Sequence, residues 1–522
     1  MKQFLLVALL INALASPAAA ADPPPNIVII LADDLGYGDL QCYNPKRGKI
    51  PTPHIDRLAS QGMLFTDAHS SSGVCSPSRY TLLTGRYHWR TRLQSGIVHY
   101  LERPLIASDR LTIARLLQQQ GYHTACIGKW HLGWDWDIPE DQRKLVAPRR
   151  GHVPEVTDQH REAWKEVYSR PIAGGPTTRG FNEYFGTDVP NWPPYCFIKN
   201  DRTVGIPSEF LPKELLQNRL ASLPGPALAD WNLKNILPTI VDYACDYIKH
   251  RAKTGQPFFL YLPLTAPHTP IAVRDLWRGK SGLDSNVADF IMQTDAEVGR
   301  VLAALNESGA AENTLVIFTS DNGAAYYRVK NQETQGHYPS GPLRGYKTDA
   351  WEGGHRIPFI VRWPGIVKPD TECEQLVHQA DIIATVAEIL EATLPDDAAE
   401  DSVSLMPLLK GSREPIRKHA ISQGTRGVFA LRRGPWKMIF APSGTRRNNR
   451  SDSKSAGHPA QLYNLAADIG ETNNVYADHP KIVQEMTALL EKLVTTGRST
   501  PGPAQENDVP VQWKRFLKSA NN

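Results

Sequence analysis

Two apolar runs, far apart in the sequence, constrain the fold of this chain most strongly. They cover residues 26–31 and residues 315–320, and neither shows the alternation of a strand with one solvated face. A continuous apolar run of this length is typical of a strand buried on both faces in a parallel sheet. Segments with helical and strand character alternate between the two runs, which indicates the α/β class. We therefore expect a large sheet between layers of helices.

Acidic residues follow both runs directly. Asp33 and Asp34 come after the first run, and Asp321 and Asn322 come after the second. Because ligands gather at the carboxyl ends of strands in such sheets, these side chains can meet if both runs belong to one sheet. Oxygen donors without a histidine or thiolate suit a hard cation such as Ca²⁺ or Mg²⁺. Taken alone, the first acidic pair could equally cap a following helix.

Outside these runs, the periodicity of apolar residues predicts further helices and strands. Near residue 418 the pattern changes to short alternating segments. The predicted helices cover residues 54–62, 111–120, 236–250, 287–305, 381–390 and 480–493, and the predicted strands cover residues 122–127, 258–262, 357–361, 427–431, 436–440 and 461–465. A length of 522 residues exceeds what one hydrophobic core usually supports. We therefore predict a catalytic domain over residues 22–415 and a smaller α+β domain over residues 416–522, in which short strands are antiparallel.

Residues 134–230 lack a long period and are predicted to form loops and short helices around the mouth of a site. Aromatic residues are frequent there, and each could stack on a sugar ring or simply pack in the core; they are Trp134, Trp136, Tyr184, Trp192 and Tyr195. Packing is the commoner role for any single aromatic residue, so the pattern alone does not decide between the two.

The first 21 residues have the pattern of a secretory signal peptide. Lys2 precedes an apolar core over residues 4–14, and small residues end the segment at 18–20. The core is too short to span a bilayer, so we expect an exported protein, periplasmic or secreted, without stable membrane insertion. The net charge of +4 is small for the length and gives no case for a nucleic-acid partner, although it suits anionic substrates.

Cys75 stands in a Cys-x-Pro-x-Arg string that runs to Arg79 and leads into an apolar helix. The pattern predicts a helix that opens at Pro77 with Ser76 as its N-cap. Cys75 would then lie at a helix N-terminus, where free amides and the helix dipole favour an anion. A lone cysteine in such a place is more often structural, and the other five cysteines show no zinc-site spacing.

Three further segments carry polar residues beside predicted strands. Lys129 and His131 lie in a Gly-Lys-Trp-His-Leu-Gly string, and they point to the same side if the chain stays extended there. His268 follows the strand over residues 258–262, and Lys347 precedes the strand over residues 357–361. A solvated lysine and a packed histidine would explain the spacing of the first pair equally well.

Taken together, these strings resemble the signatures of the type I sulfatases, nearest to the group that contains arylsulfatase A and N-acetylgalactosamine-6-sulfatase. The resemblance extends from about residue 26 to residue 463. It implies an alkaline-phosphatase-like fold: a large mixed sheet between helices, followed by a smaller C-terminal antiparallel sheet packed by a helix. It also implies that Cys75 is oxidised to formylglycine (3-oxoalanine) by a formylglycine-generating enzyme or an equivalent.

The resemblance further assigns a role to each candidate residue. It implies one Ca²⁺ per chain held by Asp33, Asp34, Asp321, Asn322 and converted Cys75; formylglycine held by Arg79 and Lys129; sulfate contacted by Lys129, His268 and Lys347; and His131 as the base. Every one of these positions carries the residue that the family pattern requires. This completeness argues against an inactive relative.

The implied reaction is hydrolysis of sulfate monoesters, expected to be those of a sulfated carbohydrate. One hydroxyl of the formylglycine hydrate attacks sulfur and forms a covalent sulfo-enzyme, while His268 or Lys347 protonates the departing alcohol. His131 then takes a proton from the second hydroxyl, and sulfate leaves. Two alternatives stay open: a phosphate or phosphonate ester hydrolase on the same scaffold, and a non-catalytic binder of sulfated glycans in which Cys75 remains a thiol.

Overall fold

The computed structural model describes residues 23–146, 155–216, 221–445 and 457–517. The predicted signal peptide lies outside these residues. The described residues contain eighteen strands: β1 (Asn26–Ala32), β2 (Met63–Phe65), β3 (Ala68–His69), β4 (His123–Lys129), β5 (Glu183–Thr187), β6 (Ile198–Lys199), β7 (Arg202–Thr203), β8 (Glu209–Leu211), β9 (Gly225–Ala227), β10 (Phe258–Pro263), β11 (Thr314–Ser320), β12 (Phe359–Arg362), β13 (Thr371–Cys373), β14 (Val377–His378), β15 (Ala420–Gln423), β16 (Phe429–Arg433), β17 (Trp436–Ile439) and β18 (Gln461–Asn464).

Twelve α-helices accompany these strands in the described ranges. They are α1 (Pro53–Ser60), α2 (Cys75–Thr84), α3 (Ile113–Gln119), α4 (Arg143–Val146), α5 (Asp158–Ser169), α6 (Ile236–Arg251), α7 (Asn286–Glu307), α8 (Tyr326–Thr334), α9 (Glu352–His355), α10 (Asp381–Ile389), α11 (Met406–Leu409) and α12 (Pro480–Thr495). The six helices predicted from periodicity are all present, with ends that differ by a few residues. None of the helices in the described ranges combines the length and apolar character needed to cross a membrane.

A ten-stranded mixed sheet forms the centre of the molecule, in the order β13-β2-β12-β11-β1-β10-β4-β5-β6-β7. Strand β1 pairs in parallel with β10 on one side and with β11 on the other. The parallel pairing continues through β4 to β5, whereas β12 is antiparallel to β11. The two apolar runs are therefore neighbouring strands at the middle of the sheet, as predicted.

Both faces of the sheet are covered by helices, which explains why the central strands are apolar throughout. Along β1, Ile27, Ile29 and Leu31 face the core that includes α2, α3 and α10. The alternate residues Val28 and Ile30 face the opposite core, which includes α1, α6 and α7. A strand with solvent on neither face has no position for a polar residue, so its sequence shows no alternation.

Residues 134–230 contain more regular structure than the sequence predicts. Strand β5 extends the main sheet beyond β4, and α5 is a helix of twelve residues. The prediction of loops and short helices is wrong for these two elements. Strand β5 is only five residues long and contains Gly186, whose backbone passes close to Gly128 of β4, so it lacks a recognisable strand pattern.

The C-terminal residues form a four-stranded antiparallel sheet in the order β15-β16-β17-β18. Helix α12 packs on one face through Met486, Leu490 and Leu493. The other face packs against Trp351, which belongs to the segment between β11 and β12. A large mixed sheet with helices and a small antiparallel sheet with one helix are both present, whereas the exact domain division at residue 416 stays a prediction.

Candidate active site

The ends of strands β1 and β11 bring the predicted oxygen donors together. The final residues of these two strands are paired in register, so the loops that follow them emerge side by side. The backbone N–H of Asp34 donates to Asp321 Oδ1 at 3.1 Å, and Asn322 Nδ2 donates to Asp34 Oδ1 at 2.8 Å. These side chains and that of Asp33 are almost completely buried. A cluster of carboxylates in the interior requires cations as partners.

Three cationic side chains provide those partners. The closest pairs are Arg79 Nη2 with Asp321 Oδ2 at 2.8 Å, Lys129 Nζ with Asp33 Oδ2 at 2.6 Å and Lys347 Nζ with Asp34 Oδ1 at 2.6 Å. Arg79 also donates through Nη1 to the carbonyl oxygen of Lys129 at 2.9 Å, which links helix α2 to the end of β4. The three carboxylates and three cations balance in charge within the cluster.

Cys75 is the first residue of helix α2, all of which is buried. The prediction that Ser76 caps this helix and Pro77 opens it is wrong. Ser76 Oγ instead accepts the backbone N–H of Val98 at 3.1 Å, and Val74 with an extended backbone occupies the cap position. Cys75 therefore belongs to the first turn, where backbone N–H groups without helical partners and the helix dipole favour negative charge.

The thiol of Cys75 lies between a carboxylate and an ammonium group of the cluster. Its Sγ is 3.6 Å from Asp33 Oδ1 and 3.6 Å from Lys347 Nζ. Burial raises the pKa of Cys75 to about 12, even though Lys129 and Lys347 act in the opposite direction. Sulfur attacks as the thiolate, so burial disfavours the nucleophilic form of this thiol.

His131 lies two residues beyond the end of β4, beside the same cluster. The chain turns at this residue, which has a left-handed φ of 54°, so the condition of an extended chain over residues 129–131 is not met. Nε2 donates to the carbonyl oxygen of Val98 at 3.0 Å, which leaves the lone pair on Nδ1. Nδ1 is buried and has no hydrogen-bond partner among the described residues. Burial, reinforced by Lys129 and Arg79, lowers the pKa of His131 well below its usual value. The ring is therefore neutral, with a basic nitrogen available.

His268 follows strand β10, which lies next to β1 on the side opposite to β11. Its Nδ1 donates to the carbonyl oxygen of Thr269 at 2.7 Å, and Nε2 lies 3.8 Å from Asp34 Oδ2. Burial lowers the pKa of His268 to about 3, although Asp33 acts in the opposite direction. The ten residues predicted from the sequence are thus brought to one edge of the main sheet, and their individual roles stay predictions.

The oxygen donors fit a divalent cation. The ligand atoms of Asp33, Asp34, Cys75 and His268 all lie within 4.8 Å of one another. Asn322 Oδ1 is buried and accepts no hydrogen bond from the described residues, which is a costly arrangement unless a cation lies beside it. Since the charges of the cluster already balance, a divalent ion adds the positive charge that a bound sulfate would neutralise.

Asp188 is a site residue that the sequence analysis missed. It follows β5 directly, and its Oδ1 accepts the backbone N–H of His131 at 3.2 Å and the indole N–H of Trp134 at 3.2 Å. Burial raises the pKa of Asp188 to about 6, despite these hydrogen bonds. It stands directly after a strand, as Asp33 and Asp321 do, and only the weak pattern of β5 concealed this similarity.

A second group of buried charges lies between the main sheet and the C-terminal sheet. We call it the Lys437 cluster, and it consists of Asp67, His69, Glu352, His355, Arg356, Arg432, Lys437 and Glu471. Lys437 Nζ lies 2.9 Å from carboxylate oxygens of both Glu352 and Glu471, and 3.2 Å from His355 Nε2. His69, Glu352 and His355 have metal-ligand chemistry and spacing, but the ammonium group of Lys437 already contacts Glu352 and His355.

Comparison with known proteins decides the family. The sequence profile of the family described as Sulfatase matches residues 25–392. The chain belongs to the sulfatase family. It is therefore a sulfuric ester hydrolase, and the resemblance inferred from the Cys-x-Pro-x-Arg and Gly-Lys-Trp-His strings is confirmed.

Curated relatives extend the similarity of this sulfatase over most of the chain. It is 35% identical to an N-acetylgalactosamine-6-O-sulfatase of Bacteroides thetaiotaomicron over 488 residues, covering 90% of this chain and 93% of the relative. It is 32% identical to human arylsulfatase A over 498 residues, covering 92% and 90% of the two chains. A mouse steryl-sulfatase is 30% identical, covering 98% and 88%.

A solved structure supports the fold of this sulfatase. The structure comes from work on the metabolism of multiple glycosaminoglycans by Bacteroides thetaiotaomicron and is 32% identical in sequence. It superposes with a TM-score of 0.75 over 90% of this chain and 99% of the other. The alkaline-phosphatase-like architecture predicted from the sequence is thereby confirmed.

Proposed function

We propose that this sulfatase hydrolyses sulfate monoesters of carbohydrates and uses formylglycine derived from Cys75 as its nucleophile. The observation that carries the proposal is the position of Cys75, which is buried in the first turn of α2 with Sγ 3.6 Å from both Asp33 Oδ1 and Lys347 Nζ, so that a group at this position lies between the anions and cations of the cluster. An aldehyde hydrate at the same position would place hydroxyl groups between Asp33 and Lys347.

The charged side chains divide the work of binding in this proposal. The hydrate supplies two hydroxyls on one carbon, one to attack sulfur and one whose deprotonation expels sulfate. Arg79 and Lys129 hold this group, and Lys129, His268 and Lys347 bind sulfate oxygens. Because these donors are fixed in a buried site, they stabilise the negative charge of the transition state without reorganisation.

Two proton transfers complete the reaction. The departing alcohol must gain a proton, and Lys347 and His268 are the candidates. The Lys347 ammonium already carries a proton, whereas Nε2 of His268 must first gain one, because Nδ1 holds the ring N–H and burial lowers the pKa of His268 to about 3. His131 accepts a proton from the second hydroxyl at Nδ1. Its hydrogen bond to the carbonyl oxygen of Val98 supports this assignment, because it keeps the lone pair on Nδ1.

We propose Ca²⁺ as the metal, held by Asp33, Asp34, Asp321 and Asn322, with modified Cys75 as a further ligand. The preference for a hard cation rests on the oxygen donors and on the buried, unpartnered Oδ1 of Asn322. When bound, the ion increases the acidity of a neighbouring hydroxyl and neutralises sulfate charge.

The carbohydrate substrate rests on the names of relatives and on the mouth of the site. The relative at 35% identity is named an N-acetylgalactosamine-6-O-sulfatase, whereas a steryl-sulfatase is 30% identical. We also propose export by the signal peptide over residues 1–21 and maturation by a formylglycine-generating enzyme. A catalytic domain over residues 22–415 and a C-terminal domain over residues 416–522 complete the proposal.

Replacement of Cys75 by serine tests the nucleophile. A serine hydroxyl can attack sulfur and release the alcohol, but the sulfoserine that remains has no second hydroxyl with which to expel sulfate. We expect Cys75→Ser to stop after at most one turnover and to retain a sulfo group on the peptide that contains position 75. Intact-mass and peptide mass spectrometry after incubation with an aryl sulfate measure both.

The matched control is Cys75→Ala, which should bind substrate and perform no chemistry. Sustained turnover by the serine variant would contradict release through a hydrate. An unconverted thiol in fully active wild-type enzyme would contradict the modification itself. Faster hydrolysis of an aryl phosphate than of the matching aryl sulfate would favour the phosphoesterase alternative.

A further inference from the structure

The structure separates the five aromatic residues that the sequence left undecided. Trp134, Tyr184 and Tyr195 are at most 1% exposed and belong to the interior. Trp136 packs edge-to-face on Tyr168, and its other ring contact is with Trp134. Trp192 is different, because it is half-buried and lies directly against the proposed base.

Trp192 forms a rigid wall beside His131. The two rings meet edge-to-face, with centroids 5.6 Å apart. On its other contacts, the indole stacks on the exposed ring of His99, with centroids 5.7 Å apart and planes within 10° of each other. The indole N–H donates to the carbonyl oxygen of Ala221 at 3.0 Å, which fixes the orientation of the ring. The aromatic pair therefore runs from the base to the surface of the protein.

The segment that carries His99 is tied to the nucleophile. Its neighbour Val98 donates a backbone hydrogen bond to Ser76, next to Cys75, and accepts one from His131. A group bonded to a sulfate at Cys75 and extending past His131 would lie beside these two rings, because Trp192 contacts His131 directly. Stacking of a ring against aromatic side chains is a favourable use of such a surface.

Asp188 adds a polar group at the same place. Its Oδ1 is engaged by His131 and Trp134, whereas Oδ2 has no hydrogen-bond partner among the described residues. The residue is partly exposed. A carboxylate oxygen without a partner in a cleft is an acceptor for hydroxyl groups, and an ionised acceptor makes the stronger hydrogen bonds.

We propose that Asp188 and the His99–Trp192 pair form the subsite that binds the sugar ring of the substrate. A pyranose ring has an apolar face of C–H groups for the aromatic pair and hydroxyls beside the ester carbon for Asp188. An aryl or steryl sulfate has a ring face but no such hydroxyls. Asp188 thus selects carbohydrate esters, since a site built to bind a hydroxyl discriminates strongly against a ligand that lacks one. This inference rests on the proposed sulfatase function.

Two substitutions test the subsite without removing the support of His131. In Asp188→Asn, the N–H groups of His131 and Trp134 hold the amide oxygen in the place of Oδ1, so that only the acceptor at Oδ2 becomes a donor. Trp192→Phe keeps an aromatic ring and Trp192→Ala removes it. The probes are 4-nitrophenyl sulfate and the best substrate from a panel of position-defined sulfated monosaccharides.

The measured quantity is the ratio of kcat/KM for the sugar sulfate to kcat/KM for the aryl sulfate. We expect this ratio to fall about 10- to 100-fold in Asp188→Asn through a higher KM for the sugar, as loss of a hydroxyl acceptor predicts. Trp192→Ala should lower the ratio by about tenfold, and Trp192→Phe should restore most of it. Trp136→Ala, another half-buried tryptophan of the same region, is the control and should leave the ratio unchanged.

The outcomes separate this inference from the proposed function. If kcat/KM falls by the same factor for both substrates in Asp188→Asn and Trp192→Ala, the proposed subsite is wrong, because a merely structural role affects both substrates equally. Hydrolysis of aryl or steryl sulfates without hydrolysis of any sugar sulfate would also overturn it, while sulfatase activity stands. Wild-type enzyme with converted Cys75 that hydrolyses no sulfate ester would instead refute the proposed function.

Discussion

The catalytic cluster and the Lys437 cluster are two buried groups of similar composition with different centres. Both combine carboxylates, histidines and cations that come from distant parts of the sequence. In the Lys437 cluster, the ammonium group of the chain lies 2.9 Å from two carboxylates and bridges them. In the catalytic cluster, Lys129 and Lys347 each contact a different carboxylate at 2.6 Å, and Asn322 Oδ1 still lacks a donor among the described residues.

The difference shows that the same residue types can form either a permanent structural contact or a site for an external ion. A cation that belongs to the chain cannot leave, so the Lys437 cluster joins the C-terminal sheet permanently to the segment before β12. A site whose centre is left to an external ion can bind and release a charged ligand. The segment from Lys347 to His355 contributes to both clusters, which connects the anchoring of the C-terminal sheet to the position of Lys347.

Replacement of a buried lysine by methionine in each cluster tests the difference between the two clusters most directly. Lys129→Met should have the largest effect. We expect kcat/KM for an aryl sulfate to fall about 10³-fold or more, because in the proposed mechanism Lys129 holds the nucleophile and binds the sulfate. The free energy of unfolding should change little by comparison, since Arg79 lies 3.5 Å from Asp33 and still offsets its charge. Steady-state kinetics and urea unfolding measure the two. A large loss of stability with normal turnover would reverse the comparison.

Lys437→Met should show the opposite behaviour. Arg356 still lies 3.4 Å from Glu352 after the ammonium is removed, but Glu471 is left buried without an ion-pair partner among the described residues. Breaking such a buried pair costs about 3–5 kcal/mol of unfolding free energy. The folded fraction should keep most of its kcat/KM. Chemical unfolding monitored by tryptophan fluorescence gives the stability. If unfolding is unchanged and catalysis is lost, the cluster is part of the catalytic machinery and the contrast fails.

Removal of divalent ions should affect only the catalytic cluster. Chelation is expected to abolish activity, and Ca²⁺ at about 100 times its Kd should restore it and stabilise the protein by about 2.7 kcal/mol. Asp321→Ala should lose activity and this Ca²⁺ response together. Addition of Ca²⁺ should not restore the unfolding free energy that Lys437→Met loses. Full activity of metal-stripped enzyme would remove the metal assignment.

The smallest effect is expected from acid titration of the Lys437 cluster. Burial alone would raise the pKa of Asp67, but Arg356, His69 and Arg432 hold it well below its usual value. A carboxyl whose pKa is lowered by folding stabilises the protein above its unfolded pKa of about 3.9 and loses this contribution as the pH falls further. Asp67→Asn should therefore cost about 1–3 kcal/mol at pH 6 and progressively less below pH 4. An equal cost at pH 6 and pH 3 would contradict this reading.

Local sequence patterns predicted the parts of the site that lie at the ends of long apolar strands. Asp33 and Asp321 could be placed together because both strands are buried on two faces and must lie in one sheet. The family strings did the same for Cys75, Lys129 and His131. The roles of these residues stay predictions until they are tested.

Features that depend on pairing between distant segments could not be predicted in this way. Ser76 has a good capping side chain, but the N–H of Val98 occupies it and the helix begins earlier. Asp188 follows a strand too short to recognise. Lys437 looks like an ordinary lysine in an alternating strand, and only the fold shows that its ammonium group is completely buried beside Glu352.

The complete burial of helix α2 has a consequence for the timing of biosynthesis. Cys75 is 2% exposed in the folded protein, so an enzyme that oxidises it must act on the chain before folding closes over it. Strand β10, the first central partner of β1 to emerge, begins at Phe258, about 180 residues after Cys75. At a synthesis rate of about 5–20 residues per second, this leaves an interval of roughly 10–40 s. If Cys75 is converted as proposed, protein that folds first keeps its thiol, and later exposure to the converting enzyme would not activate it.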